Sequence, residues 1–305
     1  MRHSLSRLFA YLQLMRPANL VTAVSDILAG YCAGLFLMGN TTLFQGVAED
    51  PLPLILLCGA SIGLYGGGVV FNDVFDVEID RQERPERPLP SGKVSIHGAT
   101  LQGIFLLLGG ISLAWSVSNT SGLLAVAVSL LALLYDKFTK DHEIAGPLTM
   151  AMCRAGNLLL GVSGIGLLPP GSAGLIFLPV LFIGSITLIS QGEVHGGNRR
   201  HIRLALMGYV GVIGTCVALF WIFGGNFPEA LPYLALFTLA VFPPLVRAYK
   251  SLQPGHIMKA VKAGVLSLII LNASLVAGFS GLYAGLLTLF LFPVSLLLGR
   301  FFSVS

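Results

Sequence analysis

Residues 52–92 read LPLILLCGASIGLYGGGVVFNDVFDVEIDRQERPERPLPSG. The opening stretch, 52–71, carries no charge and is long enough to cross about 30 Å of hydrocarbon as a helix. It runs without interruption into Asn72-Asp73-Val74-Phe75-Asp76-Val77-Glu78-Ile79-Asp80-Arg81, and from there into Arg84, Pro85, Arg87, Pro88 and Pro90. An apolar span that ends in acids and then in arginines stiffened by prolines fixes both the fold class and the place to look for chemistry.

Similar apolar runs, some carrying a single charge, recur along the chain. Spans are expected at 17–38, 52–75, 98–117, 121–136, 144–165, 174–193, 203–223, 229–246, 257–278 and 281–299. The fourth is short and the last two read equally as one broken region, so the count is nine or ten. Across all 305 residues, 55% are hydrophobic, 10% are charged and the mean hydropathy is +0.84. A soluble surface needs far more charge than this, and so does a disordered chain. The net charge of +4 is small and scattered, which argues against a nucleic-acid partner. Backbone groups in lipid must be bonded within their own segment, so the runs are helices. The alternating ten-residue segments of a membrane barrel are absent. The expectation is an all-α polytopic membrane protein, one domain over 1–305, with its 37 glycines allowing close helix contact. Cys32, Cys58, Cys153 and Cys216 read as small buried residues.

Basic residues fall in alternate loops. Arg2, Arg7 and Arg16 precede the first span; Arg81, Arg84, Arg87 and Lys93 follow the second; Lys137 and Lys140 follow the fourth; Arg199, Arg200 and Arg203 follow the sixth; Arg247, Lys250, Lys259 and Lys262 follow the eighth. The intervening loops have no Lys or Arg. The positive-inside rule then places the N-terminus and the acidic motif on the cytoplasmic side, of a bacterial plasma membrane or an organelle membrane. Arg16-Pro17 leads directly into the first span, so no cleavable signal is expected.

On a helix Asn72, Asp76 and Asp80 fall four residues apart and share one face. Like charges at that spacing repel unless a cation lies over them. Their oxygens suit Mg²⁺, which combines few carboxylates with substrate phosphate oxygens, and arginine forks such as Arg81, Arg84 and Arg87 match phosphate geometry. The competing reading is a solvated helix end beside a basic loop drawn to anionic lipid. Acids that begin at the hydrocarbon edge favour function.

Asn72-Asp73-x-x-Asp76-x-x-x-Asp80 followed by Arg84-Pro85-x-Arg87-Pro88-Leu89-Pro90-Ser91-Gly92 resembles the first signature of the UbiA superfamily of intramembrane prenyltransferases. Arg16-Pro17-x-Asn19 is similar to the family's opening, and Tyr135 with Lys137 or Lys140 to its fourth-span motif. The resemblance implies a helical bundle around a central lipid-open cavity and Mg²⁺-dependent transfer of a prenyl group from a prenyl diphosphate to an apolar acceptor, aromatic acceptors included. It makes Asn72, Asp76 and Asp80 the Mg²⁺ ligands, with Asp73 and the arginines near the diphosphate. The second signature departs from the pattern. Where an Asp-x-x-x-Asp motif is expected, this chain has Ile189-Ser190-Gln191-Gly192-Glu193-Val194-His195-Gly196-Gly197. Glu193 is the one acid, with Gln191 and His195 as hydrogen-bonding neighbours. The glycine-flanked part of this segment, Gly192-Glu193-Val194-His195-Gly196-Gly197, with Asp26, resembles the UbiA-like branch encoded in ebo gene clusters.

Two charges lie at mid-span, Asp26 in the first and Arg154 in the fifth. Each alone costs roughly 3 kcal/mol there, and their depths match, so they either pair or Arg154 reaches a ligand. Asn19 and Asn157 are expected on the same polar wall. Asn272 reads as an interhelical hydrogen bond. Phe71, Phe75 and Tyr65 are candidates to face an allylic cation, although packing explains each as well. Asp73, Glu193 and His195 are alternative bases for an aromatic acceptor. The rival class is a degenerate binder or carrier of a prenyl-linked intermediate. A CDP-alcohol phosphotransferase is set aside because Val69-Val70-Phe71 stands where its motif would begin.

Overall fold

The computed structural model describes residues 2–39, 41–192 and 196–302. Its helices are α1 (Arg2–Leu14), α2 (Pro17–Gly39), α3 (Leu43–Glu49), α4 (Leu52–Phe75), α5 (Val77–Glu83), α6 (Ile96–Trp115), α7 (Asn119–Leu134), α8 (Ala145–Val162), α9 (Phe177–Ser190), α10 (Arg199–Phe223), α11 (Phe227–Ser251), α12 (Pro254–Ser280), α13 (Leu282–Leu289) and α14 (Leu291–Phe301). No strand occurs among the described residues. Ten helical segments are long and apolar enough to cross a membrane, and the chain is a multi-pass integral membrane protein. The short fourth span is lengthened by a π-helical turn, Tyr135–Thr139, which continues α7. The last region is a separate tenth span. Gly281 (φ 95°) ends α12, and α13 and α14 together run from Leu282 to Phe301.

α2 and α12 are the most enclosed spans, and the others pack around them. Exposed Phe105, Leu123, Trp221, Leu239 and Phe290 lie on the outer helices, as expected where lipid is the solvent. The contact of α2 with α8 is set by glycine. A Cβ on Gly30 would run into the carbonyl oxygen of Leu158, and one on Gly161 would stand 2.5 Å from that of Ile27. The two backbones therefore touch, and side chains one or two turns away, including short ones, reach across. α4 and α6 meet in the same way at Gly63 and Gly110.

Apolar packing also aims the loop that follows α4. Val77 and Leu89 are buried with Ala10 and Leu14 of α1 and with Val70, Val94 and Ala99. This small core clamps the arginine–proline loop against the end of α4. Ser95 caps α6 through Gly98 N–H, fixing where the loop ends.

Candidate active site

The acids of the opening motif do not form one continuous helical stripe. The helix breaks at Asp76, which ends α4 and begins α5 with φ −89° and ψ 2°. Asn72 stays on α4 and Asp80 belongs to α5. The break lets Val77 join the core with α1 while Asp80 turns inward, 4% exposed.

Each acid meets a cation. Arg87 Nη1 lies 2.8 Å from Asp80 Oδ2 and 3.7 Å from Asp73 Oδ1. Arg16 Nη2 donates to Asp73 Oδ1 at 2.7 Å. Lys140 Nζ pairs with Asp76 Oδ1. Arg16 has φ 49°, a left-handed conformation that few non-glycine residues adopt and that its following proline further constrains. That kink between α1 and α2 delivers its guanidinium to Asp73. Arg81, by contrast, forms an exposed pair with Glu78, and Arg84 makes no ion pair among the described residues. The arginine expectation therefore divides, with Arg87 in the cluster and Arg81 and Arg84 outside it.

Sequence reasoning missed one acid of this cluster and one of its cations. Asp136, in the π-helical turn, is buried and accepts from Asn72 Nδ2 at 3.1 Å through Oδ1. Its Oδ2 is buried with no partner. The available signal was a lone carboxylate between Tyr135 and Lys137, level with Asn72. Arg16 was assigned to the opening motif without a role. Four carboxylates (Asp73, Asp76, Asp80, Asp136) thus share this rim with three cations (Arg16, Arg87, Lys140).

The rim is the end of a cavity of about 210 Å³ between α4, α7 and α8. Arg16, Asn72, Tyr135 and Asp136 line this end. Leu64, Val69, Val128, Ala132 and Met150 form apolar walls, and Tyr65, Arg154 and Asn157 lie at the far end. Of the three aromatics considered, Tyr65 lines the cavity. Phe71 and Phe75 stack on each other at 6.0 Å, and Phe71 packs beside Gly103.

The far end confirms the buried pair. Arg154 Nη1 is 3.2 Å from Asp26 Oδ2, and Arg154 Nη2 donates to Thr22. Asn157 donates to Asp26 Oδ2 at 3.1 Å, and Asn272 donates to Asp26 Oδ1 at 2.8 Å. Ser61 donates to Asn157. Asn19 stays out of this network; it offers Thr22 its backbone carbonyl only, so the expected four-residue wall is a three-residue one. Gln191 donates to the Glu143 carbonyl near the exposed Glu143–His201 pair. Glu193 and His195, and with them the middle of the segment likened to the ebo branch, lie outside the described residues.

The donor set of the rim fits Mg²⁺. It offers hard oxygen ligands, more carboxylates than cations, and one buried carboxylate oxygen left unpaired. Among the described residues, no three His, Cys, Asp or Glu stand together so as to hold a metal ion unaided, so water and substrate phosphate would have to complete the shell.

Residues 32–261 match the UbiA prenyltransferase family. The chain is 32% identical over 171 residues to a digeranylgeranylglyceryl phosphate synthase of Methanococcoides burtonii, covering 56% of this chain and 58% of that protein. It is 31% identical to the enzyme of the same name from Methanosarcina mazei, covering 60% and 63%. Both matches span less than two thirds of the relatives' length. In fold, the chain matches a structure described as concerning digeranylgeranylglyceryl phosphate synthase in membranes, with a TM-score of 0.67 at 22% identity, covering 90% of this chain and 98% of that one. A UbiA homolog from Archaeoglobus fulgidus bound to GPP and Mg²⁺ matches with a TM-score of 0.51 at 14% identity, covering 97% and 100%.

Proposed function

The chain belongs to the UbiA prenyltransferase family, and from that premise we propose that it moves a prenyl group from a prenyl diphosphate to an apolar acceptor, with Mg²⁺ held at the rim on the cytoplasmic side. The observation that carries this reading is the rim itself. Carboxylates outnumber cations there, Asp136 keeps an unpaired oxygen, and the cluster opens onto an apolar-walled cavity. Asn72, Asp76 and Asp80 would hold the ion, with Asp136 beside them. Glu193 is kept as a catalytic candidate from the sequence alone. Relatives named for lipid synthesis, and a homolog bound to GPP and Mg²⁺, support the substrate class.

In this reading the allylic C–O bond breaks and its electron pair leaves with the diphosphate. Bound Mg²⁺ supplies charge neutralisation for that leaving group. Arg16, Arg87 and Lys140 stand beside the acids, positioned to donate to diphosphate oxygens, and fixed donors act strongly where water is scarce. Leu64, Val69, Val128 and Met150 keep water from the allylic cation. The acceptor's carbon or oxygen attacks, and its proton passes to a nearby base, for which Asp73, Glu193 and His195 are the candidates.

The test is diphosphate release from protein in nanodiscs, supplied with prenyl diphosphates of several lengths and lipid extract as acceptor source. Release that requires Mg²⁺ and stops with EDTA is expected. Binding of prenyl diphosphate without release under any acceptor would replace this reading with that of a binder.

A further inference from the structure

The far end of the cavity has a chemistry that a prenyl tail alone does not call for. Arg154 is 7% exposed, on α8, and lines the cavity beside Tyr65, whose ring centroid is 5.5 Å from its guanidinium carbon. Tyr65 stands seven residues before Asn72 on α4, about 10 Å deeper at 1.5 Å per residue. A diphosphate held at the rim is therefore not the group that meets Arg154. An isoprenoid chain has no atom to offer an arginine, and a buried N–H left unpaired is costly. Nη1 of Arg154 has an ion contact with Asp26 Oδ2 at 3.2 Å but makes no hydrogen bond, so it retains N–H capacity for an acceptor oxygen.

The charge at this end is already balanced. Arg154 faces Asp26, and both Asp26 oxygens also accept from amides, Asn157 on one and Asn272 on the other. The other charged residues lining the cavity, Arg16 and Asp136, are at the rim. A carboxylate or phosphate brought to Arg154 would give the buried site a net negative charge with no further cation to meet it, which low-dielectric surroundings penalise heavily. A carbonyl, phenol or alcohol oxygen would satisfy a spare N–H and add no charge.

We propose that Tyr65, Arg154 and the Asp26 that neutralises it form the deep end of the acceptor subsite, and that it receives an uncharged oxygen on an otherwise apolar acceptor. This rests on the prenyl-transfer reading and names the acceptor class within it. The rival occupant is a single water. A second cavity of about 10 Å³, bordered by Asp26, Arg154 and Asn272, is near the least volume that holds one.

The test uses an isosteric pair of probes, 2-naphthamide and 2-naphthoate, titrated by fluorescence and saturation-transfer NMR against the full chain in nanodiscs. The wild type is expected to bind the amide about tenfold or more tightly than the carboxylate, given the cost of burying an unpaired charge. Asp26→Asn, which leaves Arg154 uncompensated, is expected to reverse that order. Arg154→Met is expected to lose the amide. Monodisperse elution shows that each variant is folded. If a variant fails that control, the wild-type preference decides alone. Equal or tighter binding of the carboxylate by the wild type overturns the proposal. So does failure of both probes to bind, or an unchanged order in a folded Asp26→Asn variant, the results expected if water alone uses the site. Binding of a prenyl thiodiphosphate to the wild type, measured separately, tests the prenyl-transfer reading, so either can fail without the other.

Discussion

The two ends of one cavity use the same side chains in opposite ways. At the rim, four carboxylates and three cations share partners loosely. Arg87 spans two acids, Asp76 remains about one-fifth exposed, and Asp136 has a free oxygen. At the far end, one acid meets one arginine, and amides from α8 and α12 complete the acid. The rim holds an excess of one charge that a ligand can complete. The deep pair ties α2, α8 and α12 together and is closed to a second charge. Polar groups near water are thus arranged for exchange, and those in the bilayer interior for fixed geometry.

The contrast breaks most visibly if the deep pair is opened. Arg154→Met or Asp26→Asn alone is expected to cost about 3–5 kcal/mol of stability, the usual penalty for leaving half a buried pair. Thermal unfolding in nanodiscs reads this, and the Asp26→Leu, Arg154→Met double variant should recover much of it. Equal losses in the double and the singles would mean that the pair is not a unit. Asp76→Asn at the rim should do the reverse. It is expected to leave stability nearly intact and to lower diphosphate release by about 10²–10³-fold, the scale for removing one electrostatic stabiliser of a transition state.

Smaller effects sharpen the comparison. Gly30→Val forces α2 away from α8, where a Cβ meets the Leu158 carbonyl. A stability loss of about 1–3 kcal/mol is expected from overpacking, and a change in probe binding at Arg154 should accompany it while the rim is untouched. Arg81→Ala removes an exposed pair with Glu78, so a change below about 1 kcal/mol and near-normal release are expected. A large loss of release would return Arg81 to the site.

Much of this was legible in the sequence because lipid makes it so. Nine of the ten spans, with the tenth left open, follow from apolar runs, and a mid-span Asp26 and Arg154 at equal depth have few alternatives to pairing. The fourth span's true end was hidden, because a π-helical turn at Tyr135–Thr139 carries charge and reads as loop. That misreading also concealed Asp136, a single acid with no second acid four residues away. The break at Asp76 bears no glycine or proline. It comes from burying Val77 against α1, a tertiary contact that local pattern does not encode. For the same reason the sequence grouped Arg81, Arg84 and Arg87 together, whereas the clamp of Leu89 and Val94 turns only Arg87 inward.

In the proposed reading the rim, and not the deep pair, takes a divalent cation together with a diphosphate. Mn²⁺ in place of Mg²⁺, followed by electron paramagnetic resonance in nanodiscs, addresses it directly. The bound signal should appear when geranyl thiodiphosphate is added and should be lost in both Asp76→Asn and Asp80→Asn. Mn²⁺ bound to the same extent with those carboxylates removed, or with no dependence on the diphosphate, would contradict the account.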